Sequence, residues 1–333
     1  MLPYVDREKF AVSIVGITKD GKWYLTHAAP EEIADGRWET HEDNLPAFLS
    51  PNRLFPGLQV LRDGALETIA VDCVHPVMHG ELCEDGALQG LLELCGIPYI
   101  SPGVCASACS MDKTVTKLVA ATAGVRQADY IVVTGEEIDT DICAASDRVD
   151  TYFKGKYPLF VKPASAGSSV GVSKVHGKEE LAQAFLTAKP ICRKIMIEEM
   201  ISGREVEVAV LGNTDPKASV VGEVLAANDF YDFEAKYENA ASRTVIPAPI
   251  SEAASEKLRA AAVAIYRAMG CETLSRVDFF LLEDDSIVFN EINTIPGFTQ
   301  ISMYPKLWEA TGLPYGELLK RLYELALERG CNR

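Results

Sequence analysis

The chain alternates between short apolar runs and segments in which apolar residues recur at helical spacing. The strand-like runs are FAVSIVGIT, YPLFVKP and the two halves of KIMIEEMISGREVEVAVLG, which meet at Ser202-Gly203. The segment SEAASEKLRAAAVAIYRAMG has the period of an amphipathic helix, with Ser251 in the capping position. Another helix is predicted for EDGALQGLLELCG, which Gly96 and Pro98 would end. These patterns predict a mixed α/β protein.

The first third of the chain has the pattern of an open α/β sheet. The run ETIAVDCVHPVMHG predicts a buried strand that ends at His79-Gly80, and the helix starting near residue 85 follows it. Residues 27–65 are rich in Pro, Gly and acidic side chains and are interpreted as an irregular connection. In an open α/β sheet, ligands bind beyond the carboxyl ends of the strands. The end of this strand is therefore a candidate binding region.

A β-hairpin with one polar face is predicted for RVDFFLLEDDSIVFNEIN. If Asp284-Asp285 form a two-residue turn, the cross-strand pairs are Leu282 with Ile287, Asp278 with Glu291 and Arg276 with Asn293. The opposite, apolar face would then carry Val277, Phe279, Leu281, Val288 and Ile292. Two carboxylates and an amide on one face are hard oxygen donors that suit Mg²⁺ or Mn²⁺. A surface hairpin with incidental charges is the alternative, but the bulky apolar neighbours place these charges near a core.

Net charge restricts the partners of this protein. The chain of 333 residues has a formal charge of −16 and a pI of about 4.8, which disfavours nucleic acid and anionic membranes as partners. No apolar run approaches the roughly 18 residues of a membrane helix, and the start MLPYVDREKF is not a secretory signal. The nine cysteines include no CxxC pair and are interpreted as reduced thiols of a cytoplasmic protein.

A phosphate site in so acidic a chain needs local cations. Neither a P-loop nor a G-x-G-x-x-G run occurs. Instead, Lys162 ends a strand and precedes the small-residue loop ASAGSSVGV, whose backbone N–H groups could approach phosphate closely. Such a loop is weak evidence by itself, and it gains weight only together with Lys113 and Lys236. Glu198 and Glu199 end another strand and could meet an adenine or a ribose.

Several motifs resemble one enzyme family. Lys113, KPASAGSSVGV, EEMISGREVEV and SRVDFF…FNEINTIPGFT are similar to the ATP-grasp fold. More narrowly, HGELCEDGALQGLLELCGIPY, ASACSMDK, DFYDFEAKY and GFTQISMYP resemble the D-alanine–D-alanine ligase family. The resemblance implies an N-terminal open α/β (pre-ATP-grasp) lobe at 1–108, an ATP-grasp central lobe at 109–200 and a C-terminal lobe at 201–333. The whole ATP-grasp region would cover about residues 117–324.

The resemblance also implies an activity, the ATP-dependent joining of two D-alanine molecules through an acyl phosphate, for peptidoglycan precursor synthesis. It implies two Mg²⁺ (or Mn²⁺), ATP, D-alanine as substrate and a homodimer. The nucleotide would be held by Lys113, Lys162, Ser169, Glu198, Glu199, Glu205 and, on a mobile loop, Lys236. The metal ligands would be Asp278, Glu291 and Asn293.

The remaining implied roles concern the substrates. Arg276 and the Gly297 N–H would stabilise the tetrahedral intermediate, and Ser302 and Met303 would contact the second D-alanine. His79 would lie near the acyl phosphate. Ser168 and Tyr237 would form a hydrogen-bonded pair at the first-substrate site.

The chain departs from the family pattern in two ways. Cys83 stands where the family usually has Gly, and the family's first strand and Glu-containing helix start are expected to be missing. Three alternatives stay open. The product could be D-alanyl-D-serine or D-alanyl-D-lactate, although Lys236-Tyr237 favour D-alanine over D-lactate. The chain could be a catalytically impaired nucleotide-binding homologue. It could also be an unrelated ATP-grasp carboxylate–amine ligase.

Overall fold

The computed structural model describes residues 1–167, 169–225, 243–299 and 301–331, which contain three β-sheets and surrounding helices. The strands are β1 (Ile14–Ile17), β2 (Trp23–Thr26), β3 (Leu45–Leu49), β4 (Leu58–Arg62), β5 (Ala65–Ile69), β6 (Tyr130–Thr134), β7 (Leu159–Pro163), β8 (Ser173–Val175), β9 (Lys194–Glu199), β10 (Arg204–Leu211), β11 (Lys217–Leu225), β12 (Arg243–Val245), β13 (Leu274–Leu281) and β14 (Ile287–Asn293). The α-helices are α1 (Pro30–Ala34), α2 (Ala87–Cys95), α3 (Val104–Met111), α4 (Lys113–Ala121), α5 (Gly135–Phe153), α6 (Leu181–Ala188), α7 (Glu252–Ala268), α8 (Met303–Ala310) and α9 (Tyr315–Cys331).

The N-terminal sheet differs in detail from the predicted alternation of strands and helices. Its order is β1-β2-β3-β4-β5, and every neighbouring pair is antiparallel. The region 27–65, interpreted as irregular, contains α1, β3 and β4. The strand expected to run to His79 ends at Ile69, and only a single parallel bridge, Val74 to Tyr99, follows it.

A tight turn explains this meander. Asp63 and Gly64 both have positive φ, 50° and 80°, and they join Arg62 to its partner Ala65. Asp-Gly in this conformation is a preferred two-residue hairpin turn. The helix α2 agrees with its prediction, and Gly96 ends it in the left-handed conformation that favours glycine.

The central sheet, β6-β9-β7-β8, is also antiparallel and packs α5 and α6 on one face. The opposite face carries Lys162 and Glu198. Glu198 of β9 pairs with Phe160 of β7, so Lys162 lies two residues along the same face of the neighbouring strand. Diagonal neighbours of this kind are within reach of long side chains. The two predicted strands are therefore confirmed, and their pairing brings the two charges together.

The C-terminal sheet has the order β12-β11-β10-β13-β14 and covers a large apolar core. Helix α7 packs on its core face, and Ser251 caps α7 by accepting from the Ala254 N–H at 3.1 Å. Ala106 of α3 and Ala120 of α4 belong to the same core. The strands on either side of Ser202-Gly203, β9 and β10, thus belong to two different sheets. The proposed boundaries at 108/109 and 200/201 stay a prediction.

The hairpin of β13 and β14 confirms the predicted pairs at its functional end and corrects the turn. Arg276 faces Asn293 and Asp278 faces Glu291, but Leu281, not Leu282, faces Ile287. A register shift next to Asp278 absorbs the extra residue at Asn290, so the predicted two-residue turn was wrong. As a result Phe289 faces Phe279 and packs in the core. The prediction had placed Val288 in this position on the apolar face. A bulge of this kind adds one residue to one strand.

The two chain ends pack together. Helix α9 forms a second core with α8, Phe298 and residues near the start of the chain, including Val5. Arg329 of α9 is buried and donates to the Tyr99 and Ser101 carbonyls at 2.8 and 2.5 Å. No helix in the described ranges is both long and apolar enough to cross a membrane.

Candidate functional site

A buried carboxylate between two lysines forms the first half of the candidate site. The Glu198 carboxylate contacts the Lys162 ammonium through one oxygen and lies 3.1 Å from the Lys117 ammonium through the other. Lys117 and Glu198 are only 3% and 6% exposed. Burial alone would raise the pKa of Glu198, but the charges of Lys162 and Lys117 outweigh it and lower the pKa to about 2. The Lys117–Glu198–Lys162 group, called here the cation-rich cluster, has a surplus positive charge.

Lys113 lies beside the small-residue loop, and its predicted role in phosphate binding stays a prediction. It is the first residue of α4, which Asp112 caps by accepting from the Thr114 N–H at 3.0 Å. The Lys113 N–H donates to the Ala164 carbonyl at 2.8 Å, and its ammonium donates to the Ala166 carbonyl at 2.5 Å. The loop and the start of α4 are therefore held together.

The backbone of this loop has the character expected of an anion site. Ser169 and Gly171 have φ of 59° and 71°, so the chain turns through left-handed conformations here. Backbone N–H groups in such turns can converge on an anion. Ser168, Lys236 and Tyr237, three predicted site residues, lie outside the described residues.

Two other predicted nucleotide ligands have different surroundings. Glu199 accepts a hydrogen bond from the Asp129 N–H at 3.0 Å, which ties β9 to the loop before β6. Glu205 lies on β10, in the C-terminal sheet, opposite Phe280. Glu198 and Glu205 thus come from two different sheets, and their joint contact with adenine and ribose stays a prediction.

The second half of the candidate site is a half-buried arginine between acids, with 18% of its side chain exposed. Arg276 donates two hydrogen bonds to Asp278, at 2.8 and 2.7 Å, and lies 2.9 Å from a Glu207 oxygen. The Asn293 amide nitrogen donates to Asp278 at 2.9 Å. Burial would lower the pKa of Arg276, but Asp278 and Glu207 raise it well above its usual value. Arg276, Glu207, Asp278, Glu291 and Asn293 are called here the acid-rich cluster.

The acid-rich cluster has the donor chemistry of a Mg²⁺ site. Asp278, Glu291 and Asn293 share one face of the hairpin and supply carboxylate and amide oxygens. The structure as described brings together no group of three His, Cys, Asp or Glu side chains suited to a metal. Instead, Arg276 occupies both oxygens of Asp278. The residues therefore fit Mg²⁺ by chemistry, while two bound ions remain a proposal.

Gly297 and Ser302 are brought together after β14. A Cβ on Gly297 would lie 2.9 Å from the Ser302 hydroxyl oxygen, so a side chain at this position would require the hydroxyl to move. Ser302 precedes α8 and accepts from the Thr299 N–H at 3.0 Å. Met303, predicted to contact substrate, is 7% exposed and packs in the core of α8 and α9.

His79 is exposed in the loop before α2, and its role stays a prediction. The neighbouring backbone is nevertheless tied to the acid-rich strand. The Gly80 N–H donates to the Glu84 carboxylate at 2.7 Å, and the Thr294 hydroxyl donates to the Glu84 carbonyl at 3.5 Å. Because Thr294 follows Asn293, the last part of the loop containing His79 lies close to the end of β14.

Two residues of the site were missed by sequence reasoning. Lys117 is one helical turn after Lys113, and Glu207 is two residues after Glu205 on the same strand face. Both spacings could have marked them as neighbours of predicted site residues. Their burial and ion pairs depend on contacts between strands and helices distant in sequence.

Helix α4 connects the two clusters. Its first residue is bonded to the loop after β7, and Lys117 in its middle contacts Glu198. The segment after α4 reaches β14, where the Phe289 N–H donates to the Arg126 carbonyl at 2.8 Å. Helix α4 and the segment that follows it therefore run from the cation-rich cluster to β14, the strand that carries Glu291 and Asn293. Such an arrangement suits a polyphosphate with its divalent cation.

Comparisons with known proteins found similar proteins over nearly the whole chain. The family model described as "D-ala D-ala ligase C-terminus" matches residues 119–324, and the one described as "D-ala D-ala ligase N-terminus" matches residues 1–102. A D-alanine–D-alanine ligase of Acetivibrio thermocellus is 46% identical over 99% of this chain and 90% of its own length. The corresponding protein of Clostridium novyi is 44% identical over 99% of this chain and 92% of its own length.

Solved structures show the same fold. The VanG D-Ala:D-Ser ligase of Enterococcus faecalis superposes with a TM-score of 0.88 at 36% identity, covering 98% of this chain and 92% of its own. The D-alanine–D-alanine ligase of Coxiella burnetii gives a TM-score of 0.83 at 34% identity, covering 99% and 88%.

Proposed function

Because the chain belongs to the D-alanine–D-alanine ligase family of ATP-dependent ligases, with their ATP-grasp fold, we propose that it joins two D-alanine molecules into D-alanyl-D-alanine. The observation that carries the proposal is the pair of oppositely charged clusters connected by α4. The cation-rich cluster matches a polyphosphate, and the acid-rich cluster matches the divalent cation that accompanies it.

The reaction needs an activated carboxylate. A carboxylate is a poor electrophile, and transfer of the γ-phosphoryl group of ATP to the first D-alanine gives an acyl phosphate with a good leaving group. The amine of the second D-alanine then attacks the acyl carbon. Phosphate departs with one original carboxylate oxygen, and the attacking nitrogen loses a proton. The acyl phosphate must be shielded from water during these steps.

In this proposal the cation-rich cluster binds the nucleotide, and the acid-rich cluster acts at the reacting groups. Lys113 and Lys162, with the loop around Ser169, hold the phosphates, and Glu198, Glu199 and Glu205 face the adenosine part. Lys236 would add a cation to the γ-phosphate. Arg276 and the Gly297 N–H stabilise the developing oxyanion at the reacting carbon.

The metal and the second substrate occupy the end of β14. Asp278, Glu291 and Asn293 would hold Mg²⁺ (or Mn²⁺), which would neutralise charge on the phosphates. Ser302, next to Gly297 at the start of α8, would bind the carboxylate of the second D-alanine, and its position at a helix N-terminus supports this role because carboxylates bind favourably there. Ser168, Tyr237, His79 and Met303 complete the proposed substrate site.

The cellular setting follows from the same proposal. The product is a precursor for peptidoglycan, so we place the protein in the cytoplasm, as a homodimer with neither a nucleic-acid nor a membrane partner. Its acidic charge of −16 supports the absence of polyanionic partners.

D-serine as second substrate is the alternative supported by a specific observation, the TM-score of 0.88 with a D-Ala:D-Ser ligase. A pocket not built against a hydroxyl rejects it poorly. We nevertheless favour D-alanine, since the relatives of 44–46% identity over 99% of the chain are named D-alanine–D-alanine ligases.

The experiment incubates the purified chain with ATP, Mg²⁺ and D-alanine and identifies the product by mass spectrometry. D-alanyl-D-alanine should form with D-alanine and not with L-alanine or without a divalent cation. An equimolar mixture of D-alanine, D-serine and D-lactate should give mainly the dialanine. A mainly D-serine or D-lactate product would reject the D-alanine preference, and no product would reject the ligase activity of this chain.

A further inference from the structure

The two lysines of the cation-rich cluster are not equivalent. The Lys162 side chain is 17% exposed and lies at the end of β7, immediately before the proposed phosphate loop. The Lys117 side chain is 3% exposed and lies in the middle of α4. Of the two, only Lys162 is placed to reach a phosphate in that loop.

Lys117 is fixed on three sides. Its ammonium lies 3.1 Å from Glu198, donates to the Ala128 carbonyl at 3.2 Å and lies 5.1 Å from the centre of the Tyr130 ring. The backbone of the lysine is fixed as well, because the Gln127 side chain donates to the Lys117 carbonyl at 3.0 Å. A cation over an aromatic face is held by the ring electrons. Lys117 therefore keeps its ion pair with Glu198 when Lys162 moves to a phosphate.

The Lys162 ammonium and the Glu198 oxygen that it contacts cannot bind each other and the nucleotide at the same time. In the described structure Lys162 contacts one oxygen of Glu198. When phosphates draw Lys162 away, that oxygen becomes available to the ligand, but the buried carboxylate loses half of its compensation. An uncompensated buried charge is strongly destabilising. Something must keep Glu198 charged and in place during this exchange.

We infer that Lys117 is the positioning residue that keeps Glu198 compensated while Lys162 transfers from Glu198 to the nucleotide phosphates. The inference deepens the proposed function and rests on its nucleotide site. Lys117 itself touches neither phosphate nor metal in this scheme. It acts through Glu198, so its loss should weaken nucleotide binding only while Glu198 carries a charge.

The test measures ADP binding by titration calorimetry, which does not require ligation. Lys117→Met should weaken ADP binding by about tenfold or more. In this variant Lys162 is the remaining cation of the cluster that compensates Glu198, so the carboxylate and the phosphates compete for it. Lys117→Arg, which retains the cation, should keep most of the affinity. In a Glu198→Gln background, Lys117→Met should change ADP affinity by less than about twofold, since neighbouring residues couple and the charge to be compensated is absent.

A matched control removes a cation from another buried carboxylate. Glu223 is 5% exposed and accepts two hydrogen bonds from Arg204, at 2.7 and 2.6 Å. Arg204→Met should lower the unfolding temperature and leave ADP affinity unchanged. Such a result separates loss of stability from loss of the nucleotide site.

Four outcomes would overturn the inference. Lys117→Met could weaken ADP binding by the same factor in the unaltered chain and in the Glu198→Gln background, which would show that it does not act through the Glu198 charge. Lys117→Met could also leave ADP affinity unchanged, or the unaltered chain could bind no ADP. If Lys117→Met alone does not fold, the test uses Lys117→Met in the Glu198→Gln background. A double variant that folds and binds ADP supports the inference. A double variant that also does not fold overturns it. ADP binding without D-alanine-dependent phosphate release would reject the proposed ligation alone.

Discussion

The two charged clusters are opposites in composition. The cation-rich cluster has one carboxylate, Glu198, between two lysines, and the acid-rich cluster has one guanidinium, Arg276, contacting two carboxylates. Glu198 is buried and Arg276 is half-buried, and each keeps the outer charges of its cluster together. The surplus charge is positive around the middle of α4 and negative at β14. In the proposed function an acidic chain binds MgATP without a basic surface, because each surplus charge would face the part of the ligand that neutralises it.

The largest expected effect comes from removing an outer acid. Glu291→Ala should lower Mg²⁺-dependent turnover by about a thousandfold or more, because a lost metal ligand removes charge neutralisation from the transition state. ADP binding in the absence of metal should change little. The control is Glu283→Ala in the exposed turn of the same hairpin. Unchanged turnover in Glu291→Ala would show that the acid-rich cluster does not bind the metal.

Removing the central cation should lower stability, in addition to removing the proposed oxyanion contact. Arg276→Met leaves Asp278 and Glu207 buried without their shared partner, and the free energy of unfolding should fall by about 3–5 kcal/mol. Because the acids are then free to hold another cation, Mg²⁺ should raise the unfolding temperature of this variant more than that of the unaltered chain. Urea unfolding and thermal unfolding, each with and without Mg²⁺, measure the two effects. An equal Mg²⁺ response would contradict the idea that Arg276 and a metal occupy the same acids.

The central carboxylate should give an acid-dependent stability. The folded pKa of Glu198, about 2, lies below its ordinary value of 4.5. The stabilisation is therefore complete above pH 4.5 and is lost as the pH falls towards 2, since the unfolded chain binds the proton first. The shift corresponds to about 3 kcal/mol. Glu198→Gln should be less stable than the unaltered chain at pH 6, and the two should converge near pH 2–3. Parallel stability curves over this range would refute the buried ion pairs.

Removing the movable lysine should affect the nucleotide most. Lys162→Met should weaken ADP binding by about ten- to a hundredfold, because a charge-assisted phosphate contact is lost. Lys178→Met is the control in the same part of the chain, where an exposed pair with Asp147 contributes little. Calorimetric titration of both variants compares them directly. Equal ADP affinities would remove Lys162 from the phosphate site.

The sequence predicted the acid-rich cluster better than the cation-rich one, for a physical reason. Arg276, Asp278, Glu291 and Asn293 follow the two-residue period of adjacent strands, so their common face is a local property. The turn between β13 and β14, in contrast, is not determined by the local sequence pattern. The segment LLEDDSIV allows several turns, and the bulge at Asn290 depends on the burial of Phe289 in the core under α7.

The Lys117–Glu198 contact joins residues far apart in sequence. Nothing in the helical spacing of α4 distinguishes the buried Lys117 from Lys113 at its start. That distinction requires the packing of α4 between two sheets. The N-terminal meander is a different case, because Asp63-Gly64 was a visible hairpin signal that an expected α/β alternation overrode.

The central claim is that both clusters serve the phosphorylation of one D-alanine carboxylate. The most direct measurement uses D-alanine labelled with ¹⁸O in its carboxylate and follows the label by mass spectrometry of the released phosphate. The account predicts one ¹⁸O in each phosphate released together with D-alanyl-D-alanine, because the acyl phosphate oxygen leaves with phosphorus. Unlabelled phosphate accompanying the dipeptide would contradict an acyl phosphate and the shared role of the two clusters.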